Sequence, residues 1–224
     1  MKLILKKKYV ELGDVVSFVF KCTEPVTWIA GQYINITMPD VPPVTADRLF
    51  TIASAPFEKD MLITTFIGSS AYKQRMNLLT IDEEVEADQI GGDFFWQEDG
   101  RQKLYLAGGI GVTTFRSIIL DRFHNNLPNN ALMLYAGKEG RRPFVENLRQ
   151  IEKLDSSLII KDYDTVKLTL TQLLKDVPDV MQRTAYLAGS QQFSEALGEG
   201  LIEKGIPRDQ IKYDYFDGYV DIEY

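Results

Sequence analysis

The sequence predicts two domains, an antiparallel β-barrel or sandwich followed by an α/β domain whose parallel sheet carries helices on both faces. Three observations predict this. Residues 1–99 hold short β-branched and aromatic runs separated by turn residues, with one helical pattern among them. From Lys103 onward, short apolar runs alternate with segments whose apolar residues recur at helical spacing. Between the two lies Gln97–Gln102, Gln-Glu-Asp-Gly-Arg-Gln, a polar stretch suited to a surface connection, which sets the expected domains at 1–99 and 100–224.

In the first half, strands are expected at Tyr9–Leu12, Val15–Phe20, Tyr33–Met38, Leu49–Ala53, Met61–Ile67 and Val85–Ala87. Gly13-Asp14, Gly31-Gln32 and the stretch Pro39–Pro43 punctuate them. Ala71–Leu79 reads as a helix, with Tyr72, Met76 and Leu79 on one side. In the second half, strands are expected at Leu104–Ala107, Ala131–Ala136, Leu158–Lys161, Thr184–Ala188 and Ile211–Tyr215. Helices alternate with them at Thr114–Phe123, Phe144–Leu154, Leu168–Leu174 and Phe193–Lys204. The sequence has no internal repeat or low-complexity tract.

Composition narrows the function. A net charge of −7 over 224 residues argues against nucleic acid as the main partner, because phosphate neutralisation needs clustered cations. The single cysteine, Cys22, follows a strand-like run and reads as a core or edge residue; one thiol cannot ligate an iron–sulfur cluster or form an internal disulfide. The N-terminal Met1–Lys8 has too short an apolar part for a signal peptide, and Lys6–Lys8 reads as the solvated end of a first strand. No apolar run is long enough to span a membrane, so no membrane insertion and a cytoplasmic location are expected. The lone histidine, His124, closes a helix, where a cation complements the helix dipole without any catalytic role.

Three segments carry chemistry. Arg48-Leu49-Phe50-Thr51 places a guanidinium, a ring and a hydroxyl on one extended segment: a phosphate clamp, a cover for an isoalloxazine or ribityl group, and a hydrogen-bond partner near flavin N5. Alone it also fits an ordinary strand. Gly68-Ser69-Ser70-Ala71-Tyr72-Lys73 opens a helix with outward N–H groups and a nearby cation, which suits an anion and equally suits simple capping by Ser69 or Ser70. Gly108-Gly109-Ile110-Gly111-Val112-Thr113-Thr114 follows a strand and opens a helix, the setting in which a glycine turn receives a pyrophosphate, although Thr114 stands where the dinucleotide fingerprint has its third glycine. A tight strand-to-helix turn explains it as well.

Together these segments resemble the ferredoxin–NADP reductase superfamily, specifically its stand-alone bacterial flavin-dependent reductases, over nearly the whole chain. Arg48–Thr51 matches its R-x-[YF]-[ST] flavin motif, Gly68–Lys73 its phosphate-binding helix start, and Gly108–Thr114 its Gly-Gly-x-Gly-[IV]-[TA]-Pro nicotinamide loop with Thr in place of Pro. Gly31-Gln32-Tyr33, Gly91–Phe94 and, in outline, Ala188–Phe193 fall where the family has further motifs. The resemblance implies a six-stranded antiparallel FAD-binding barrel, a nucleotide-binding α/β domain, and hydride transfer from NAD(P)H to flavin N5 with Thr51 as the catalytic partner. It implies a cofactor set of Arg48, Leu49, Phe50, Thr51, Thr65, Phe66, Gly68, Ser69, Ser70, Ala71, Tyr72 and Lys73 in the barrel. In the second domain the set is Gly109, Gly111, Val112, Thr113, Thr114, Lys138, Arg141, Gly189 and Tyr219. Tyr219 or Tyr224 in the C-terminal stretch either folds over the flavin or belongs to a loosely packed tail.

Lys138, Arg141 and Arg142 read as partners for a 2′-phosphate, which tilts the expectation to NADPH, or as a solvated loop. Ala188 replaces the family's cysteine beside the transferring carbon, and Ser190 replaces a proline. The function expected is an FAD-dependent NAD(P)H oxidoreductase passing electrons to a separate acceptor such as ferredoxin or flavodoxin. The alternatives are a flavin reductase that uses free flavin as substrate and a non-enzymatic flavin- or nucleotide-binding regulatory subunit.

Overall fold

The structure is a computed structural model that describes residues 1–138, 140–164 and 167–214. Its first half contains β1 (Lys2–Leu12), β2 (Val15–Cys22), β3 (Tyr33–Thr37), β4 (Asp47–Thr51), β5 (Met61–Phe66), helix α1 (Ala71–Leu78) and β6 (Glu84–Gly91). The strands pair antiparallel in the order β4-β3-β6-β1-β2-β5. Alternation decides what each face meets: in β3, Ile34 and Ile36 are buried while Tyr33, Asn35 and Thr37 keep contact with solvent. Every strand feeds one core, represented by Leu5, Phe18, Ile36, Phe50, Ile63 and Val85. Just past edge strand β4, Ala53 N–H donates to the carbonyl of Leu62 in the opposite edge strand β5 at 2.8 Å. The sheet therefore curls toward closure, which protects its edges.

One expectation is corrected here. Strand β1 starts at Lys2 rather than Tyr9, with Leu3 and Leu5 buried, so Lys6–Lys8 lies in mid-strand and not at a strand end. The pairing shifts register between Leu5 and Lys7, and the ammonium groups reach outward, Lys6 to Asp82 at 2.8 Å and Lys8 to the carbonyl of Asn77 at 2.8 Å. Consecutive lysines hide the period of two that reveals a half-buried strand.

The second half runs β7 (Lys103–Gly108), α2 (Val112–His124), β8 (Ala131–Ala136), α3 (Val145–Leu154), β9 (Leu158–Tyr163), α4 (Leu170–Asp176), β10 (Thr184–Ala188), α5 (Gln191–Glu203) and β11 (Ile211–Asp214). The strands are parallel, in the order β11-β10-β7-β8-β9. On β7, Tyr105 and Ala107 face the core built with Phe115 of α2 and Leu148 of α3. Leu104 and Leu106 face the opposite core, with Leu173 of α4 and Leu197 of α5. Both faces are therefore covered, as a parallel sheet requires. Helices α4 and α5 begin directly after Thr169 and Ser190, whose hydroxyls accept from Gln172 N–H and Phe193 N–H.

The chain proceeds from β7 to β8 and β9 in one direction and adds β10 and β11 on the other side, so the switch point of the sheet lies between β7 and β10. Helix α2 leads away from that point and packs on the barrel. Ser117 Oγ donates to the Ser54 carbonyl at 2.8 Å, and the His124 ring stacks on Phe57 with centroids 3.8 Å apart.

Candidate functional site

On the barrel side, the register pairs Arg48 with Ile36, Phe50 with Ile34 and Thr51 with Tyr33. Arg48 and Phe50 therefore share the inward face of β4, and Leu49 and Thr51 take the other. Phe50 is 6% exposed and tilts onto Tyr72 with centroids 5.8 Å apart. Its ring is thus a floor within the barrel core rather than an open stacking face, because it alternates in step with Arg48 against two buried isoleucines. The Lys73 ammonium stands 4.6 Å from the Phe50 centroid, and the Arg48 guanidinium 5.1 Å from that of Tyr72. Lys73 Nζ also bonds Thr65 Oγ1. Five of the expected residues, Arg48, Phe50, Thr65, Tyr72 and Lys73, form one cluster where β4, β5 and the start of α1 converge.

Ser70 caps α1 by accepting from Lys73 N–H at 3.4 Å, so the capping reading holds. Ser69 and Ala71 are exposed beside it, and the space next to the Gly68 α-carbon is open to 4 Å. Two cations, hydroxyls and a helix N-terminus are the donor set a diphosphate needs. The residues present fit the flavin dinucleotide that the motifs imply.

On the nucleotide side, β7 ends in a single 3-10 turn, Gly109–Gly111, and α2 follows at once. Gly109 has φ +51°, a conformation that L side chains rarely adopt. A side chain on Gly111 would collide with the carbonyl of Ala188, so this turn and the end of β10 meet backbone to backbone at the switch point. Gly189 sits there too, with the Phe193 ring against it. Val112, Thr113 and Thr114 turn their side chains inward, at 0%, 4% and 0% exposure, and Thr113 Oγ1 donates to the Ile110 carbonyl at 2.9 Å. A dinucleotide at this turn would meet glycine and backbone. Ala188, at the position of the family's cysteine, is itself wholly buried.

Between the two halves sits a residue the sequence reading missed. Asp214, the last residue of β11, brings its Oδ2 to Thr114 Oγ1 and, at 3.4 Å, to Thr51 Oγ1; the two threonine oxygens are 3.4 Å apart. Burial pushes the Asp214 carboxyl up to about 6, opposed by the two hydroxyl bonds and aided by the like charge of Asp93. The expected N5 partner Thr51 is therefore coupled to a carboxylate. The available signal was a lone acidic residue at the C-terminal end of a strand of the parallel sheet, where ligands of such sheets bind.

The cations after β8 are committed elsewhere in the chain. Arg141 pairs with Asp14 of the β1–β2 turn at 2.5 Å and lies 4.9 Å over the Phe66 ring. Arg142 pairs with Asp162 at 2.9 Å and Asp164 at 3.8 Å, and donates to the Tyr135 carbonyl at 3.4 Å. Lys138 follows β8 in the same loop, and Tyr219 lies outside the described residues. Half-buried Cys22 contacts Met61 Sδ at 3.8 Å, and burial pushes its thiol up, the opposite of a reactive thiolate. Among the described residues, no group of acidic, histidine and cysteine side chains is placed to hold a metal, and no helix is long and apolar enough to cross a membrane.

No family model matches the chain. It is 24% identical over 236 residues to flavohemoprotein A of Dictyostelium discoideum, covering 95% of this chain and 59% of that protein. It is 28% identical over 145 residues to the phenol hydroxylase P5 protein of Acinetobacter pittii, covering 62% of this chain and 38% of that protein. The chain thus spans from about two fifths to three fifths of these relatives' length. Among solved structures, the flavohem-like FAD/NAD-binding domain of nitric oxide dioxygenase from Vibrio cholerae superposes with a TM-score of 0.81 at 19% identity, covering 96% of this chain and 98% of that one. The two-sheet architecture of this chain is that of the Vibrio cholerae FAD/NAD-binding domain.

Proposed function

We propose that the chain is an FAD-dependent NAD(P)H oxidoreductase that delivers electrons to a separate acceptor. The observation that carries this reading is the junction at Asp214, where a hydroxyl from the barrel and one from the nucleotide helix meet between a cationic anion cradle and a glycine turn at the switch point. Held by these residues, FAD would supply the redox chemistry: a hydride acceptor at N5 and a store for one or two electrons.

The chain's own residues bind and orient. Arg48, Lys73 and the start of α1 hold the diphosphate; Arg48 gives it a planar fork and Lys73 a buried point charge. Gly109 and Gly111 let a dinucleotide approach backbone. Thr51 offers its hydroxyl in the seam, and Asp214 Oδ2 can hold a proton one hydroxyl away. The carboxyl is poised to do so near neutral pH, since its value is pushed up to about 6.

Between the two nucleotides, the ion pairs favour NADH over the NADPH expected from the cations alone. Asp162 and Asp164 already neutralise Arg142 at the C-terminal end of β9, and Asp14 neutralises Arg141. A 2′-phosphate would meet carboxylates there, whereas a ribose 2′-hydroxyl would find acceptors. A lone thiol cannot ligate an iron–sulfur cluster within these 224 residues; the proposed acceptor is a separate redox partner, for which ferredoxin and flavodoxin are the candidates, and a reducing cytoplasm suits such chemistry.

Anaerobic mixing with NADH or NADPH tests the reading. Rapid bleaching of the visible flavin absorbance supports an enzyme, and absence of bleaching with either favours a regulatory subunit. Flavin lost on desalting, with free flavin still reduced, identifies a flavin reductase.

A further inference from the structure

We infer that Thr114 is a positioning residue that keeps Asp214 ionised and thereby fixes which way the Thr51 hydroxyl points. The inference rests on the flavoenzyme reading for its consequence, but not for its geometry. Thr114 lies in the first turn of α2, in the nicotinamide loop, at the place where the family pattern has proline and no hydroxyl. Its side chain is wholly buried, so its hydroxyl has no water to turn to; of the two acceptors within reach, Asp214 Oδ2 is much nearer than Thr51 Oγ1 at 3.4 Å and carries the charge. Thr51 is only half-buried and reaches the same oxygen at 3.4 Å.

Each hydroxyl owns one proton. While Asp214 is ionised, both protons point at Oδ2, and the Thr51 oxygen turns only its lone pairs to the seam. When Asp214 takes up a proton, the acid must itself donate, and a threonine oxygen becomes the acceptor. Thr51 is then released to aim its own proton away from Asp214, toward whatever acceptor occupies the seam. Thr114 opposes that change, because its O–H bond is stronger to the ionised carboxylate than to the neutral acid. The partial positive charge at the start of α2 acts in the same sense. Among the described residues, the charged group acting on Asp214 is Asp93, in the segment after β6, and its like charge works the other way. Removing the Thr114 hydroxyl thus leaves a crowded carboxylate with one weaker donor and a repulsive neighbour.

The test compares wild type, Thr114→Val, Thr114→Ser and Asp214→Asn in the full chain, purified with its flavin. Melting temperature is recorded from pH 4 to 8, alongside the pH profile of anaerobic flavin reduction by NADH. The difference in melting temperature between wild type and Asp214→Asn traces the titration of Asp214. Thr114→Val should move that titration up by about one pH unit, the worth of one hydrogen bond to a charged group. Thr114→Ser should restore it, and the pH limb of kcat should move with it while KM for NADH stays. Thr114→Ala, which leaves room rather than crowding, reads the same shift if the valine variant does not fold. A titration that coincides in wild type, Val and Ala variants overturns the inference, even in an active enzyme. A wild type that holds no flavin or is not reduced overturns the flavoenzyme reading instead, and the melting profiles still decide the role of Thr114.

Discussion

Arg116 of α2 grips Glu58 of the barrel with both ends of its guanidinium, Nη1 to Oε2 at 2.8 Å and Nη2 to Oε1 at 3.0 Å. Nη1 also donates to the Ala53 carbonyl at 2.7 Å, and Arg116 is only 8% exposed. This fork joins the helix that leaves the nucleotide turn to the strand end that carries Thr51. A planar, bidentate and largely desolvated contact is not matched by a point charge. Arg116→Ala should therefore destabilise the protein by about 2 kcal/mol through its lost charge-assisted hydrogen bonds, and Arg116→Lys should recover only part of it. Urea unfolding followed by tryptophan fluorescence measures this, and an unmoved midpoint in the alanine variant would contradict the clamp.

Flavin retention should depend on Arg48 more than on any neighbour. Its guanidinium lies over the Tyr72 ring, and the Lys73 ammonium over the Phe50 ring that packs on Tyr72, inside the cluster proposed to hold the diphosphate. Arg48→Ala removes the planar half of that donor set while leaving the core residues Phe50 and Tyr72 in place. The purified variant should be colourless after desalting yet keep a wild-type circular dichroism spectrum. A variant that stays yellow removes Arg48 from the site.

What the sequence reveals and conceals follows from the range of the interactions. Ile34 and Ile36 announce β3 because a period of two is written in adjacent residues, and the serine before α1 announces its cap for the same reason. The helix–strand alternation after Lys103 is equally local. By contrast, the Thr114–Asp214 bond joins residues 100 positions apart, and the Arg141–Asp14 pair residues 127 apart. The cations of the loop after β8 are conspicuous in the sequence, while the carboxylates that neutralise them arrive from the barrel and from β9. The cations of Arg141 and Arg142 are thus legible in the sequence, and their counter-charges are not. The first half of β1 is hidden for a different reason, since three consecutive lysines mask the alternation that the buried Leu3 and Leu5 begin.

Acid should weaken the N-terminal edge of the parallel sheet at Asp99, where β7 and β10 begin side by side. Lys103 has a fully buried side chain and is bonded to Asp99, which also accepts from Thr184 Oγ1 at 2.5 Å and Arg101 N–H at 2.9 Å. Burial raises the Asp99 carboxyl, but these donors outweigh it and hold it down at about 2. The folded value lies below the unfolded one of 3.8, so the stabilisation is complete above that and is lost as pH falls toward 2. Asp99→Asn should cost about 3 kcal/mol at pH 7, because a buried ammonium loses its counter-charge. The gap to wild type should close between pH 4 and 2, which chemical denaturation across that range would show. A gap that is constant with pH would mean that the carboxylate's charge contributes nothing.

Nucleotide preference should turn on Asp162. Its Oδ1 pairs with Arg142 and its Oδ2 with Arg149, across from Tyr135 at the C-terminal ends of β8 and β9. An adenosine 2′-phosphate brought to these strand ends would face Asp162 and Asp164 while the arginine between them is already neutralised. Asp162→Asn removes one negative charge, leaves a side chain of the same shape, and frees part of Arg142 for the phosphate. Losing one repulsion of about 1.4 kcal/mol should raise kcat/KM for NADPH relative to NADH about tenfold. Asp164→Asn, whose pairing with Arg142 is longer at 3.8 Å, should give a smaller change in the same direction. Steady-state rates with both nucleotides measure the ratio. A wild type that already prefers NADPH, or a ratio unaffected by Asp162→Asn, would place the adenosine ribose away from β9 and return Lys138 to consideration as its partner.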